Sequence, residues 1–197
     1  MKAMLLAAGL GTRMAPLARA HAKPALPVLD VPVALPLVRT LAQHGVTRVV
    51  VNTHAHPESV RRALGESPLP IDWIEEPELR GSGGGVRGAR AALDGDGPFL
   101  VLNGDVWTDF DLGRLRAPAG SLAHLVLVDN AAHHPDGDYG LEPGGHARAD
   151  GKRLTYSGIS LLDPALFAGQ GPGFLPLKPS LDAALAQGRL TAQHHAG

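Results

Sequence analysis

Short apolar runs alternate with amphipathic stretches along the first half of the chain. Residues 3–7 (AMLLA) are wholly apolar and end at Gly9, the pattern of a strand buried on both faces. Residues 33–44 (VALPLVRTLAQH) repeat apolar positions at helical spacing and stop at Gly45, with Pro36 placed in the first turn, where a missing N–H costs little. Residues 47–52 (TRVVVN) read as a β-branched strand, 57–65 as a short helix between Pro57 and Gly65, and 70–74 (PIDWI) as a third strand. A triple glycine at 83–85 leads into a helix at 86–93, and 98–103 (PFLVLN) is a fourth strand ending at Gly104-Asp105. Strands alternating with helices predict a parallel sheet joined by right-handed crossovers. In the second half, 122–128 and 154–162 read as strands and 176–187 as a helix. Between them, 130–151 is rich in Gly, His, Asp and Pro and reads as a hairpin or surface loop. A short helix is expected at 111–115, started by Asp109 or Asp111. The expected architecture is α/β: a Rossmann-like, doubly wound, mostly parallel sheet in three α/β/α layers.

With 197 residues and 44% hydrophobic content the chain is long enough for one well-filled domain, 1–197, divided into a half at 1–110 and a half at 111–197. Aromatics are only 4%, so Leu, Val and Ala must fill the core. A net charge of −1 offers no basic surface for a nucleic-acid backbone, and no nucleic-acid partner is expected. The absence of Cys excludes disulfide and thiolate chemistry and suits a cytoplasmic location. The N-terminal apolar run is shorter than a signal-peptide core, and no segment is long enough to span a bilayer, so no membrane partner is expected. A monomer is consistent with this pattern.

The first chemical motif is Ala7-Ala8-Gly9-Leu10-Gly11-Thr12-Arg13-Met14, directly after the first strand. Successive backbone N–H groups in such a turn form an anion-binding nest, and Arg13 adds a permanent cation with forked donors. No Gly-Lys-Ser/Thr follows, so it is not a P-loop. A dinucleotide fingerprint would need glycine where Met14 stands, and a helix through a stretch that holds Pro24 and Pro27. The next segment, Lys23-Pro24-Ala25-Leu26-Pro27-Val28, holds a single Lys on an extended backbone, from which it can reach back to phosphates.

LAAGLGTRM followed by KPALPV resembles the signature of the sugar-1-phosphate nucleotidyltransferases. That resemblance implies a GT-A-like nucleotidyltransferase fold. It also implies nucleotide contacts from Ala8, Gly9, Gly11, Thr12, Arg13 and Lys23, with Arg13 and Lys23 holding phosphate charge.

Asn103-Gly104-Asp105 ends the fourth strand, and open α/β sheets bind ligands at such strand ends. In the common doubly wound order the fourth strand lies beside the first, which would bring Asp105 to the glycine loop. A carboxylate beside a triphosphate needs a cation between them, and Mg²⁺ accepts one or two carboxylates together with phosphate oxygens and water. NGDVWTD also matches the metal-binding aspartate segment of the resembled family, with Asp105 as the metal ligand and Asn103 beside the nucleotide.

Arg80-Gly81-Ser82-Gly83-Gly84-Gly85 resembles the L-E-T-G-G-G stretch of the N-acetylmuramate-1-phosphate uridylyltransferase branch, in which this loop helps to read the base. The resemblance therefore assigns Gly83 and Gly84 to the nucleotide, while Gly81 stands where that branch has Glu. It extends through PFLVLNGDVWTDFDL, LAHLVLVDNAAHHPDGDYGL and LTYSGISLLDPALF, and places Asn130, Ser157 and Gly158 in a sugar pocket. Catalysis is then expected from Arg13, Lys23 and Asp105, with UTP and a sugar 1-phosphate as partners. The resembled family continues with a W-x-D-V-G-T segment that supplies a second metal carboxylate. This sequence stops at His194-His195-Ala196-Gly197, so a C-terminally truncated chain is expected. The pairs His133-His134 and His194-His195 read as exposed side chains, the latter near the expected sugar site.

Overall fold

The computed structural model describes residues 1–93 and 97–197. Its strands are β1 (Lys2–Leu6), β2 (Pro27–Val28), β3 (Val31–Pro32), β4 (Arg48–Thr53), β5 (Ile71–Glu75), β6 (Phe99–Asn103), β7 (Ala123–Val128), β8 (Tyr139–Leu141), β9 (Ala147–Arg148), β10 (Arg153–Leu162) and β11 (Leu190–His195). Its α-helices are α1 (Ala34–Gln43), α2 (Pro57–Ala63), α3 (Gly81–Gly88), α4 (Arg90–Leu93) and α5 (Leu177–Ala186). The main sheet runs β11-β7-β10-β6-β1-β4-β5, and the β8–β9 hairpin branches from β10. β1, β4, β5 and β6 pair in parallel. β10 runs antiparallel to both β6 and β7, and β11 is again parallel to β7. The sheet is thus mixed but mostly parallel, as expected.

Strand residues alternate between two cores. Ala3, Leu5, Val49, Val51, Leu100 and Leu102 face the side covered by α1 and α2. Met4, Val50, Phe99 and Val101 face α3, α4 and α5. Burial on both faces is what makes these strands read as continuous apolar runs rather than alternating ones. α1 buries Ala34, Leu35, Leu37, Val38 and Leu41, a stripe at helical spacing laid on the first core.

Four elements depart from the sequence reading. The helix expected at 86–93 begins earlier, at Gly81, and is interrupted before Arg90. Its glycines are poor helix formers, so packing rather than propensity sets this helix. Gly83 and Gly84 let the backbone of residues 173–176 pack close, because an added β-carbon on Gly83 would stand 3.1 Å from the Leu175 carbonyl oxygen. β11 was not expected: LTAQHH carries little apolar character, and only its pairing with β7 and His124 explains it. The loop after the first strand also holds the small β2–β3 hairpin, turned by Leu29 and Asp30 in left-handed backbone conformations. The short helix expected at 111–115 is a single 3-10 turn, Leu112–Arg114, and Asp111 caps it by accepting from the Gly113 N–H at 2.8 Å. No helix among the described residues is long and apolar enough to cross a membrane.

Candidate active site

β6 lies directly beside β1, and the Gly104 N–H donates to the Leu6 carbonyl at 2.8 Å. The two strands therefore end side by side, and Asp105 emerges next to the Ala8–Gly9 turn. A cleft of about 330 Å³ opens there, lined by Ala8, Gly9, Asn52, Leu79, Gly81, Ser82, Asn103, Asp105 and Phe174. Lys23, held on the 3-10 turn Lys23–Ala25, forms an ion pair with Asp105 across its edge. Segments about a hundred residues apart in the chain thus meet because the sheet order places strand ends together.

The floor of the cleft is braced by a buried amide. Asn52, at the end of β4, accepts from the Ala7 N–H at 3.0 Å and donates to Glu76 Oε1 at 2.7 Å. The other oxygen of Glu76 accepts from the Arg80 N–H at 3.1 Å. Both side chains are only 2% exposed, so these bonds fix the glycine turn against the start of α3 with little solvent competition. The ring of His54 bonds the Glu76 carbonyl through Nδ1 at 2.8 Å. Asn52 closes the apolar strand that the sequence predicts at 47–52 and is visible there as a polar strand end. Glu76 is not visible in this way, since a carboxylate in a Glu-Glu-Pro turn looks like surface.

Gly11 adopts a left-handed backbone, φ 63°, and starts the turn that carries Thr12 and Arg13. Thr12 and Arg13 are exposed, which leaves the Arg13 guanidinium accessible to an anion. Gly83 and Gly84 are buried beneath residues 173–177, and the members of that loop that face the cleft are Gly81 and Ser82.

On the far side of Asp105 a second hollow, about 510 Å³, is lined by Val106, Trp107, Thr108, Asp109, Val128, Asp129, Ser157, His195 and Gly197. Ser157 and Gly158 lie at a register shift in β10, a bulge that turns the strand beside the site. Gly158 backs onto Asn103, leaving no space for a side chain. Asn130 has a different task. It donates to the Pro135 and Arg153 carbonyls at 2.8 and 3.0 Å and accepts from Thr155 Oγ1 at 2.8 Å, which fastens the following loop to β10. Its neighbour Asp129 faces the hollow instead and bonds His194 at 3.1 Å. His195 is not simply solvated: it bonds Asp109 Oδ1 at 2.8 Å and stands edge-on to Phe110. That hydrogen bond holds the Asp109 carboxyl below its ordinary range.

No cluster of three or more His, Asp or Glu side chains that could cage a metal exists among the described residues. One cleft-facing carboxylate beside an anion-binding turn suits Mg²⁺, which takes most of its shell from phosphate oxygens and water. A Mg²⁺ ion there would displace Lys23 from Asp105 and leave the ammonium for phosphate.

The profile of the family described as nucleotidyl transferase matches residues 2–149. N-acetylmuramate alpha-1-phosphate uridylyltransferase of Neisseria meningitidis serogroup B is 39% identical over 210 residues, covering 100% of this chain and 90% of the relative. The protein of the same description from Caulobacter vibrioides is 29% identical over 208 residues, covering 95% and 86%. The structure of UDP-glucose pyrophosphorylase from Acinetobacter baumanii superposes with a TM-score of 0.75 at 18% identity, covering 98% of this chain and 85% of that one, a likeness of fold.

Proposed function

The chain belongs to the nucleotidyl transferase family, and from that premise we propose that it transfers UMP from UTP to N-acetylmuramate 1-phosphate. At the coarser level it is a sugar-1-phosphate nucleotidyltransferase. The observation that carries the reading is the meeting of Ala8–Gly9, Lys23 and Asp105 at one cleft on adjacent parallel strand ends. The choice of base and sugar rests on the full-length similarity to the uridylyltransferases.

In this reaction an oxygen of the sugar phosphate attacks the α-phosphorus in line. The bond from that phosphorus to the bridging oxygen breaks, and pyrophosphate leaves with the electron pair. A phosphate monoester is already an adequate nucleophile, so no general base is required. Rate enhancement comes from positioning and charge stabilisation. Backbone N–H groups of the Ala8–Thr12 turn cradle the triphosphate. Arg13 and Lys23 neutralise the leaving pyrophosphate. Asp105 would hold Mg²⁺, which would supply positive charge beside the triphosphate. Gly83 and Gly84 act by letting α3 pack close, while Asn103 keeps the strand end beside Gly158. The hollow with Ser157, Asp129 and His195 receives the sugar. The donor UTP is a cytoplasmic nucleotide, which places the proposed reaction in the cytoplasm, and its product feeds a reaction that consumes a nucleotide-activated amino sugar.

The reading is tested by pyrophosphate release across UTP, dTTP and GTP, each with N-acetylmuramate 1-phosphate and with simple hexose 1-phosphates. The expected result is the highest kcat/KM for UTP with N-acetylmuramate 1-phosphate. A higher value for dTTP or GTP with a hexose 1-phosphate would replace the substrates while leaving the reaction class intact.

A further inference from the structure

Phe174 is 67% exposed, whereas Phe99, Phe110 and Phe167 are all buried. In a chain with only four Phe, a bare ring calls for a reason. Its exposure is not that of a loose loop. The Leu175 N–H donates to the Arg80 carbonyl at 2.8 Å, and the Gly84 N–H to the Leu175 carbonyl at 2.9 Å. Arg87 Nη2 donates to the Gly173 carbonyl at 2.8 Å, and the Leu177 N–H to Ser82 Oγ at 3.1 Å. Four hydrogen bonds thus clamp residues 173–177 onto the start of α3, with the ring at the mouth of the cleft that also holds Ala8, Gly9 and Asp105.

Gly81 explains why the ring stays bare. Its φ of +73° is a left-handed conformation that side chains resist. A β-carbon there would stand 2.7 Å from the Leu175 carbonyl oxygen and 3.2 Å from Phe174 Cε2. Glycine at 81 therefore permits the close approach and leaves the cleft side of the aromatic face uncovered. Gly81, Ser82 and Phe174 line the same cleft as the Ala8–Gly9 turn and Asp105, so a nucleotide whose triphosphate lay at that turn would share the cleft with the ring.

We propose that Phe174 is a base-contacting residue, giving the nucleobase an aromatic face on the cleft that also holds Asp105. This rests on the cleft being the nucleoside triphosphate site. Every base has a π-face, so the contact adds affinity for a nucleoside triphosphate over bare polyphosphate. It gives the nucleotide a hydrophobic base contact beside the Gly81 turn.

The experiment measures UTP and tripolyphosphate binding calorimetrically, in Mg²⁺ and without sugar phosphate, for the wild type, Phe174→Ala and Phe174→Tyr. The expected result is that Phe174→Ala weakens UTP by about five- to one-hundred-fold and leaves tripolyphosphate unchanged, while Phe174→Tyr keeps the wild-type affinity for both. Equal UTP affinity in the wild type and Phe174→Ala overturns the proposal alone, as does an equal loss for both ligands. Failure of the wild type to bind UTP would overturn both it and the nucleotide reading of the cleft.

Discussion

Gly85 shows how little freedom a single position has beside this site. In an isolated helix, replacing glycine with alanine stabilises by about 1 kcal/mol. Here the added methyl would stand 2.6 Å from Asn52 Nδ2 and 2.9 Å from Glu76 Oε1. Neither neighbour can retreat, because Asn52 is held by Ala7 and Glu76 by the Arg80 N–H. Gly85→Ala is therefore expected to destabilise by about 1–3 kcal/mol in urea unfolding, the cost of overpacking; a stabilised variant would show that the brace is loose. Legibility in the sequence differs sharply among such residues. Arg13, Lys23 and Asp105 stand out because their chemistry is written into glycine- and proline-rich loops after strands. Glu76 and Phe174 do not, since each gains its meaning from a segment distant in the chain: Glu76 from Asn52, and Phe174 from Gly81.

Among the elements, α3 and β11 depend most on their neighbours. α3 forms despite its five glycines because other segments press against it, so its start lies outside what residue propensity predicts. β11 is fixed to β7 by ladder pairing and by His124, whose ring bonds Thr191 Oγ1 and Gln193 Oε1, both at 2.9 Å. Burial pushes the pKa of His124 below its ordinary value of 6.5, partly offset by the Gln193 bond. The folded protein thus keeps this imidazole neutral at a pH where the unfolded chain would protonate it. Stability from His124 is fully present above about pH 6.5 and is lost as pH falls through its depressed folded value. The difference in Tm between the wild type and His124→Gln should accordingly shrink as pH is lowered below about 6.5. A constant difference across that range would mean that His124 is not a neutral bridge between the two strands. The strands β1, β4 and β6 and the helix α1 were all legible from apolar runs and helical spacing. β11 was not, because polar side chains that satisfy one another across a strand pair carry no apolar signal.

For the molecule as a whole, the order of the sheet makes the site. Placing β6 against β1 converts two motifs remote in sequence into one cleft, and the two-faced burial of those strands holds their ends rigid. The expectation of a parallel, doubly wound half led directly to this juxtaposition. The antiparallel β10 and its bulge were less visible, yet they set the back wall, where Gly158 meets Asn103. We propose that in this cleft the Asp105 carboxylate, freed from Lys23, would hold a divalent ion against a triphosphate. The most direct test is pyrophosphate release from UTP and N-acetylmuramate 1-phosphate, followed as Mg²⁺ is titrated into the wild type and Asp105→Asn. The expected result is a wild-type rate that saturates with Mg²⁺ and a loss of about a hundred-fold or more in kcat for Asp105→Asn, the scale of removing one group that stabilises transition-state charge. Matching rates and matching Mg²⁺ dependence in the two proteins would contradict it.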